Sequence, residues 1–167
     1  MIRKEFDKLL TLLNIAGEVK GRKKFQKIIF ILQQKGADFK ENFFFHYYGP
    51  FSYDLQFEID DLVESGLINE SGNVNFTYTL NESISSTLDI NNSIYSYASL
   101  IHKLNSQPSP LLELVATMCY LKVNGYNDNE KIEKKVKFLK PNLVNRYKKG
   151  AFSLLAELEN ERIKNFV

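Results

Sequence analysis

Apolar residues near the start of the chain recur every three or four positions, as they do along one face of an α-helix. This spacing predicts a first helix over residues 2–15, which Gly17 ends. The run RKKFQKIIFILQQKG predicts a second amphipathic helix, and Gly36 stands where a helix C-cap is expected. The chain therefore begins with two helices separated by a few polar residues.

A dense aromatic stretch, FFFHYYGPFSYDL, follows the second helix. Its first part favours a short strand, and Gly49-Pro50 interrupts that strand because glycine takes unusual backbone angles and proline fixes φ. Ser52 is a good N-cap for a third helix that runs to about Ser65. We interpret the Gly-Pro pair as a structural turn. Whether the rings around it also form a binding surface stays open at this point.

The next segment, GLINESGNVNFTYTL, alternates apolar and polar residues and predicts two strands joined around residues 71–73. Three helices followed by a two-stranded hairpin is the element order of a winged helix. Beyond residue 80 the pattern predicts helices over 93–105, 111–125, 130–140 and 142–164. We predict an α+β, mostly helical fold, with a winged-helix-like half at 1–80 and a packed C-terminal helical half at 81–167.

Composition narrows the functional classes. Hydrophobic residues make up 44% and charged residues 25% of the 167-residue chain, which is typical of a globular protein, and the net charge is only +2. A single cysteine, Cys119, lies in an apolar run, and no signal peptide or membrane-spanning run is apparent, so we expect a cytoplasmic protein.

Residues for chemistry are scarce. Two histidines, His46 and His102, and one cysteine cannot supply the four Cys and His ligands of a structural zinc site, and neither histidine lies near a second ligand-type residue at metal spacing. Glycine-rich phosphate loops are absent from the sequence. We therefore expect no metal, no cofactor and no enzymatic activity.

The third helix is strongly acidic, with five carboxylates, no lysine and no arginine between Ser52 and Ser65. Such a helix is a poor DNA recognition helix, because DNA affinity depends on neutralising phosphates. Its apolar stripe faces one way and two aromatic rings share the opposite, acidic face, which is typical of a protein-binding surface. The predicted partner-binding residues are Tyr53, Phe57, Asp60, Asp61 and Glu64.

Two alternatives involve basic residues at 20–27 and 131–149. In the first, these surfaces bind nucleic acid, and the candidate residues are Arg22, Lys23, Lys24, Lys27, Lys134, Lys135, Arg146 and Lys148. In the second, the segment 131–149, which carries eight basic residues against Glu133 alone, folds back onto the acidic helix. Tyr53 and Phe57 would then be buried between the two halves of the chain.

Three segments, GRKKFQKIIFILQQKG, FHYYGPFSYDL and DDLVESGLI, resemble the YwgA-like proteins, which in turn are similar to the SocA-like, or Panacea, antitoxin domains. Phe25 stands where the family usually has leucine. The resemblance implies a fold and a protein-binding role, and it brings no catalytic residue. The matching residues are Gly21, Arg22, Gln26, Lys27, Tyr48, Gly49, Pro50, Phe51, Ser52, Leu62, Gly66, Leu67 and Ile68.

The predicted function is therefore a non-enzymatic, winged-helix-like interaction module, an antitoxin-like or regulatory adaptor that binds another protein. The alternative is a DNA-binding transcriptional regulator that uses the basic surfaces at 20–27 and 131–149.

Overall fold

A computed structural model describes residues 4–161, which contain seven α-helices and five short strands, all the strands preceding the last four α-helices. The helices are α1 (Lys4–Ala16), α2 (Arg22–Gln34), α3 (Tyr53–Glu64), α4 (Ala98–Asn105), α5 (Ser109–Val123), α6 (Asn129–Leu139) and α7 (Pro141–Asn160). The strands are β1 (Glu18–Lys20), β2 (Phe44–His46), β3 (Gly49–Phe51), β4 (Ile68–Ser71) and β5 (Thr77–Leu80). Two short 3-10 helices, Glu82–Thr87 and Ser93–Tyr97, precede α4.

The strands form two separate antiparallel sheets. The larger sheet has the order β1-β5-β4, with Val19 opposite Tyr78 on one side and Glu70 opposite Tyr78 on the other. The smaller sheet is the hairpin of β2 and β3. The predicted fold class, α+β and mostly helical, is confirmed, and the division of the chain at residue 80 stays a prediction.

Helix α2 is the central element of the core. Its residues from Phe25 to Leu32 are all buried, because the helix packs against α5 and α4 on one side and against β1 and β3 on the other. Helix α5 is covered in turn by α6 and α7, so its apolar run is buried around most of its circumference. The hydrophobic driving force for folding is concentrated in these two helices.

Two local signals in the sequence have the expected effect on the helices. The side chain of Ser52 accepts a hydrogen bond from the Leu55 amide and caps α3, as predicted. Pro141 is the first residue of α7. Proline suits this position because the amide groups of the first helical turn have no hydrogen-bond partner within the helix, so the missing N–H of proline costs nothing there. The predicted end of the last helix, Lys164, lies outside the described residues. None of the helices within residues 4–161 is long and apolar enough to cross a membrane.

Candidate functional site

The aromatic hairpin β2–β3 is held to α2 through its backbone. The Gln26 side chain makes two hydrogen bonds with Ser52: it donates to the carbonyl oxygen at 2.9 Å and accepts from the amide at 3.0 Å. The buried ammonium of Lys27 donates to the carbonyl oxygen of Pro50 at 2.6 Å. These contacts fix the segment between the hairpin and α3, since each buried backbone group has a partner.

The Gly-Pro pair is part of strand β3, and the turn of the hairpin consists of Tyr47 and Tyr48. The prediction that Gly49-Pro50 forms the turn is therefore wrong, because the turn lies two residues earlier in the chain. Gly49 has φ of +85°, and a Cβ atom there would lie 3.0 Å from the Thr117 hydroxyl oxygen on α5. Glycine at this position allows both the backbone conformation and the close approach of α5.

A buried ion pair between α5 and the start of α7 contacts the turn of the hairpin. Nζ of Lys140, at the start of α7, lies 2.9 Å from a carboxylate oxygen of Glu113 on α5, and both side chains are largely buried. The same ammonium group donates to the carbonyl oxygen of Tyr47. The hairpin is therefore attached to α2 at its base and to α5 and α7 at its tip.

Five aromatic rings of the hairpin and of α3 form one continuous row. Ring centres of Phe44 and Tyr53 are 5.0 Å apart, and those of Tyr53 and Phe51 are 5.1 Å apart. The row continues through His46, 5.2 Å from Phe51, to Tyr48 at 6.2 Å from His46. Such offset and edge-to-face contacts hold the rings in fixed positions.

Many of these rings are exposed. We define the aromatic surface as six side chains: Phe44, Phe45, Tyr47, Tyr48, Tyr53 and Phe57. Their exposed fractions run from 38% for Phe45 to 79% for Tyr47, and Phe57 of α3 is 67% exposed. Exposed apolar residues are common singly, but six large rings on one hairpin and the adjoining helix are characteristic of an interaction site.

Carboxylates border the aromatic surface on α3. Asp60, Asp61 and Glu64 are exposed, as are Tyr53 and Phe57 on the same helix. Within residues 4–161, none of these three carboxylates makes an ion pair with a lysine or arginine. The predicted partner-binding residues are thus all at the surface of one helix, next to the aromatic hairpin.

The basic segment 131–149 does not cover this helix. Helices α6 and α7 pack against α5 and against each other. Tyr53 is 53% exposed and Phe57 is 67% exposed, so neither is buried between the two halves of the chain. The alternative in which these two rings join the halves is wrong, because the basic segment lies on α5 instead.

The basic residues at 20–27 do not form one exposed patch. Arg22 donates to the Tyr78 hydroxyl at 3.0 Å and pairs with Glu70 of β4 at 3.4 Å. Lys23 is exposed and its Nζ lies 3.2 Å from the centre of the Tyr48 ring. Lys24 is half-buried, and burial, with the charge of Lys20, lowers its pKa.

Lys27 is a correction to the predicted nucleic-acid site. Its side chain is 1% exposed, because the ammonium group binds the Pro50 carbonyl inside the protein. Burial lowers the pKa of Lys27 to about 8. The carboxylate of Glu113 raises this pKa, whereas the positive charges of Lys140 and Lys23 lower it further. This residue supports the hairpin and is not available to a phosphate.

The C-terminal basic residues do lie at the surface. Lys134 is exposed and Lys135 half-buried on α6, and both Arg146 and Lys148 are exposed on α7. Lys148 pairs with Glu133 across the two helices. The structure thus brings these four residues to one pair of adjacent helices, away from Arg22, Lys23 and Lys24 on α2.

Glu41 is a buried carboxyl group that sequence reasoning missed. It is 9% exposed, accepts a hydrogen bond from the Ser52 hydroxyl at 3.4 Å, and has both backbone polar groups bonded to the Gln33 side chain. Burial raises its pKa to about 7, and the negative charges of Glu58 and Asp54 add to that effect. No signal in the sequence distinguishes this glutamate from its exposed neighbours.

Cys119 and the possible metal ligands are also candidates for chemistry among residues 4–161. Burial raises the pKa of the Cys119 thiol to about 11, so the reactive thiolate form is disfavoured near neutral pH. Within residues 4–161, no group of three or more His, Cys, Asp or Glu side chains could hold a metal ion.

A search against models of protein families finds no match. The chain is similar to the uncharacterized protein YwgA of Bacillus subtilis (strain 168), with 36% identity over 137 residues that cover 78% of this chain and 81% of that protein. The chain belongs to the YwgA-like family. The similarity gives the family and no activity.

The residues that carry the YwgA-like sequence pattern have clear structural roles in this member of the family. Gln26, Lys27 and Ser52 join α2 to the hairpin, and Gly49 allows the close contact with α5. The hairpin rings of the aromatic surface were not among the predicted site residues, although the run FFFHYY is the signal that could have found them.

Proposed function

We propose that this protein is a non-enzymatic interaction module, with a winged-helix-like first half, that binds another protein through the aromatic surface and the acidic face of α3. In this proposal it acts as an antitoxin-like or regulatory adaptor, in keeping with the resemblance to SocA-like, or Panacea, domains. The observation that carries the proposal is the exposure of six aromatic rings on one anchored hairpin and the adjoining helix.

The physical basis is the combination of apolar anchors and a charged border. Exposed aromatic rings lose contact with water when a partner covers them, and such residues dominate the binding energy of most interfaces. The border of Asp60, Asp61 and Glu64 would attract a partner with positive charge and would repel an acidic one. The preferred partner is therefore a protein segment that carries lysine or arginine beside an apolar side chain.

The rings are also held in place before binding. Because the hairpin backbone is bonded to Gln26, Lys27 and Lys140, a partner does not have to order a mobile loop. Less conformational entropy is lost on association when the surface is preorganised.

The alternative function, a DNA-binding transcriptional regulator, has less support for its N-terminal basic surface. Lys27 is buried, and Arg22 is bonded to Tyr78 and Glu70. Helix α3, the recognition helix in a winged helix, presents carboxylates and aromatic rings instead of arginine or lysine.

The test compares Phe57→Ala with a matched control, Phe138→Ala. Both rings are exposed, but Phe138 lies on α6, outside the aromatic surface. Tagged protein is used to capture partners from a nuclease-treated lysate, and the captured partner is then titrated against each variant. We expect Phe57→Ala to weaken binding by about 2 kcal/mol or more and Phe138→Ala to leave it unchanged.

The melting temperature is measured for the same variants. Because Phe57 is exposed, its truncation should change the free energy of unfolding by less than about 0.5 kcal/mol. Equal binding by both variants, or a large fall in the melting temperature of Phe57→Ala, would contradict the proposal.

A further inference from the structure

A basic groove lies between the C-terminal helices α6 and α7. Lys137 of α6 and Arg146, Lys148 and Lys149 of α7 line it, and Val144 and Phe152 are the apolar residues beside them. Four cationic side chains thus converge on one concave surface. No residue of the aromatic surface lines this groove.

Most of these charges are not neutralised by the protein itself. Lys148 pairs with Glu133, whose carboxylate also interacts electrostatically with Lys137, but within the described part of the chain Lys137, Arg146 and Lys149 make no direct ion pair with a carboxylate. Lys134 on the outer face of α6 is likewise without such a partner among residues 4–161. A concentration of unpaired cations costs self-repulsion, which an anionic ligand would relieve.

An exposed aromatic ring stands beside these cations. Phe138 directly follows Lys137 on α6, is 79% exposed, and lies 5.6 Å from the Nζ atom of Lys135. Neither Ile132 nor Val136, the apolar residues of α6 that face the core, is exposed. The outer face of α6 therefore presents a single ring among lysines and has no apolar stripe.

We propose that the groove between α6 and α7, together with Phe138, binds single-stranded nucleic acid. The cations would contact successive phosphates and the ring would stack on a base, a combination that recurs in proteins that bind single strands without sequence preference. A duplex is less suited, because its bases already stack on each other and leave no free face for Phe138. An anionic membrane is less suited as well, because an interfacial helix needs a broad apolar face.

The experiment measures the fluorescence anisotropy of labelled oligo-dT and oligo-rU of about 20 nucleotides, a length that covers one site, with the full chain. We expect binding that weakens steeply as salt rises from about 50 to about 200 mM, because each phosphate contact contributes about 0.7 to the slope of log affinity against log salt. A duplex of the same length should bind at least about tenfold more weakly, since it offers no unstacked base.

Two variants separate charge from stacking. Lys137→Gln/Arg146→Gln should weaken binding about tenfold or more and reduce the salt slope by about 1.4. Phe138→Ala should weaken binding roughly 5- to 150-fold and leave the salt slope unchanged, since stacking releases no counterions. All of these side chains are at the surface, so the melting temperatures should stay close to that of the unmodified protein.

Controls define the outcomes that would overturn the proposal. Lys20→Gln/Lys40→Gln removes the same charge from exposed positions elsewhere, and an equal loss of binding in this variant would indicate diffuse attraction. Unchanged binding by both groove variants would rule the groove out. Binding to phosphatidylserine vesicles without binding to either oligonucleotide would overturn the proposal and would identify an anionic membrane surface as the ligand of the groove. Phe57→Ala should bind the oligonucleotides normally, so this test is independent of the protein-binding proposal.

Discussion

Nζ of Lys27 lies 2.6 Å from the carbonyl oxygen of Pro50, and this buried hydrogen bond connects the middle of α2 to the backbone of the aromatic hairpin. Replacing Lys27 by Met keeps much of the side-chain volume but removes the donor. We expect Lys27→Met to lower the free energy of unfolding by about 1–3 kcal/mol at neutral pH, because the Pro50 carbonyl is left without its partner. Chemical denaturation measures the change, with Lys20→Met at an exposed site as the control.

The pKa of Lys27 also predicts a dependence on alkaline pH. Because burial lowers this pKa to about 8 in the folded protein, the unfolded chain binds more protons than the folded chain between pH 8 and the ordinary lysine pKa of about 10.5. The contribution of Lys27 to stability therefore rises with pH across this window. Denaturation curves at several pH values should show this rise in the unmodified protein relative to Lys27→Met, and parallel curves would contradict the assignment.

Gly49 combines a positive φ with a close neighbour. Adding a Cβ atom there requires a strained backbone and places that atom 3.0 Å from the Thr117 hydroxyl oxygen. We expect Gly49→Val to lose about 1–3 kcal/mol of stability through strain, and Gly49→Ala to lose more than Gly17→Ala. Gly17 also has a positive φ but no atom within 4 Å of the added Cβ, so the difference between the two alanine variants isolates the contact with α5. Equal melting temperatures for these two variants would show that the contact is unimportant.

Glu41 should make stability depend on pH near neutrality. Its pKa is raised to about 7 in the folded protein, whereas the unfolded value is about 4.5, so the folded state binds more protons between these limits. The stabilising contribution of the protonated group is complete below about pH 4.5 and is lost as pH rises through about 7. Glu41→Gln mimics the neutral form, and we expect it to be more stable than the unmodified protein by about 1–3 kcal/mol at pH 8 and similar at pH 4.5.

Thermal melts between these pH values test the Glu41 prediction. Glu64→Gln, a substitution at an exposed position of α3, serves as the control and should follow the unmodified protein. A difference in stability between Glu41→Gln and the unmodified protein that does not vary with pH would show that folding does not raise the pKa of Glu41.

The acidic border should affect the rate of partner binding more than its final strength. In Asp60→Asn/Asp61→Asn, two exposed carboxylates next to the aromatic surface are neutralised. We expect slower association with the captured partner and a weaker dependence on salt, because long-range attraction is reduced. Glu18→Gln/Glu82→Gln removes the same charge from exposed sites outside α3 and the aromatic surface, and it should have no such effect. Mobility-shift assays should also show no sequence-specific DNA binding by the first variant, since α3 has no arginine or lysine to read bases.

Features that depend on neighbouring residues could be predicted from the sequence. The cap of α3 by Ser52 and the exposed, acidic face of that helix follow from local spacing alone. Strand β1 was missed because three residues carry no clear alternation, and its partner Thr77–Thr79 lies far along the chain. Lys27 was assigned to the surface because lysine is rarely buried, and only the folded chain shows the carbonyl group that accepts its hydrogen bond.

Side chains of helix α2 hold the hairpin and the residue that follows it through backbone groups, not through the aromatic side chains. The identity of the most exposed ring, Tyr47, is therefore less coupled to folding than these backbone contacts are, since Gln26 and Lys27 would hold the same backbone if another side chain stood there. A scaffold of this kind can exchange its recognition surface by single substitutions while its stability is retained. Members of the same lineage could thereby acquire different ligands without rebuilding their interior.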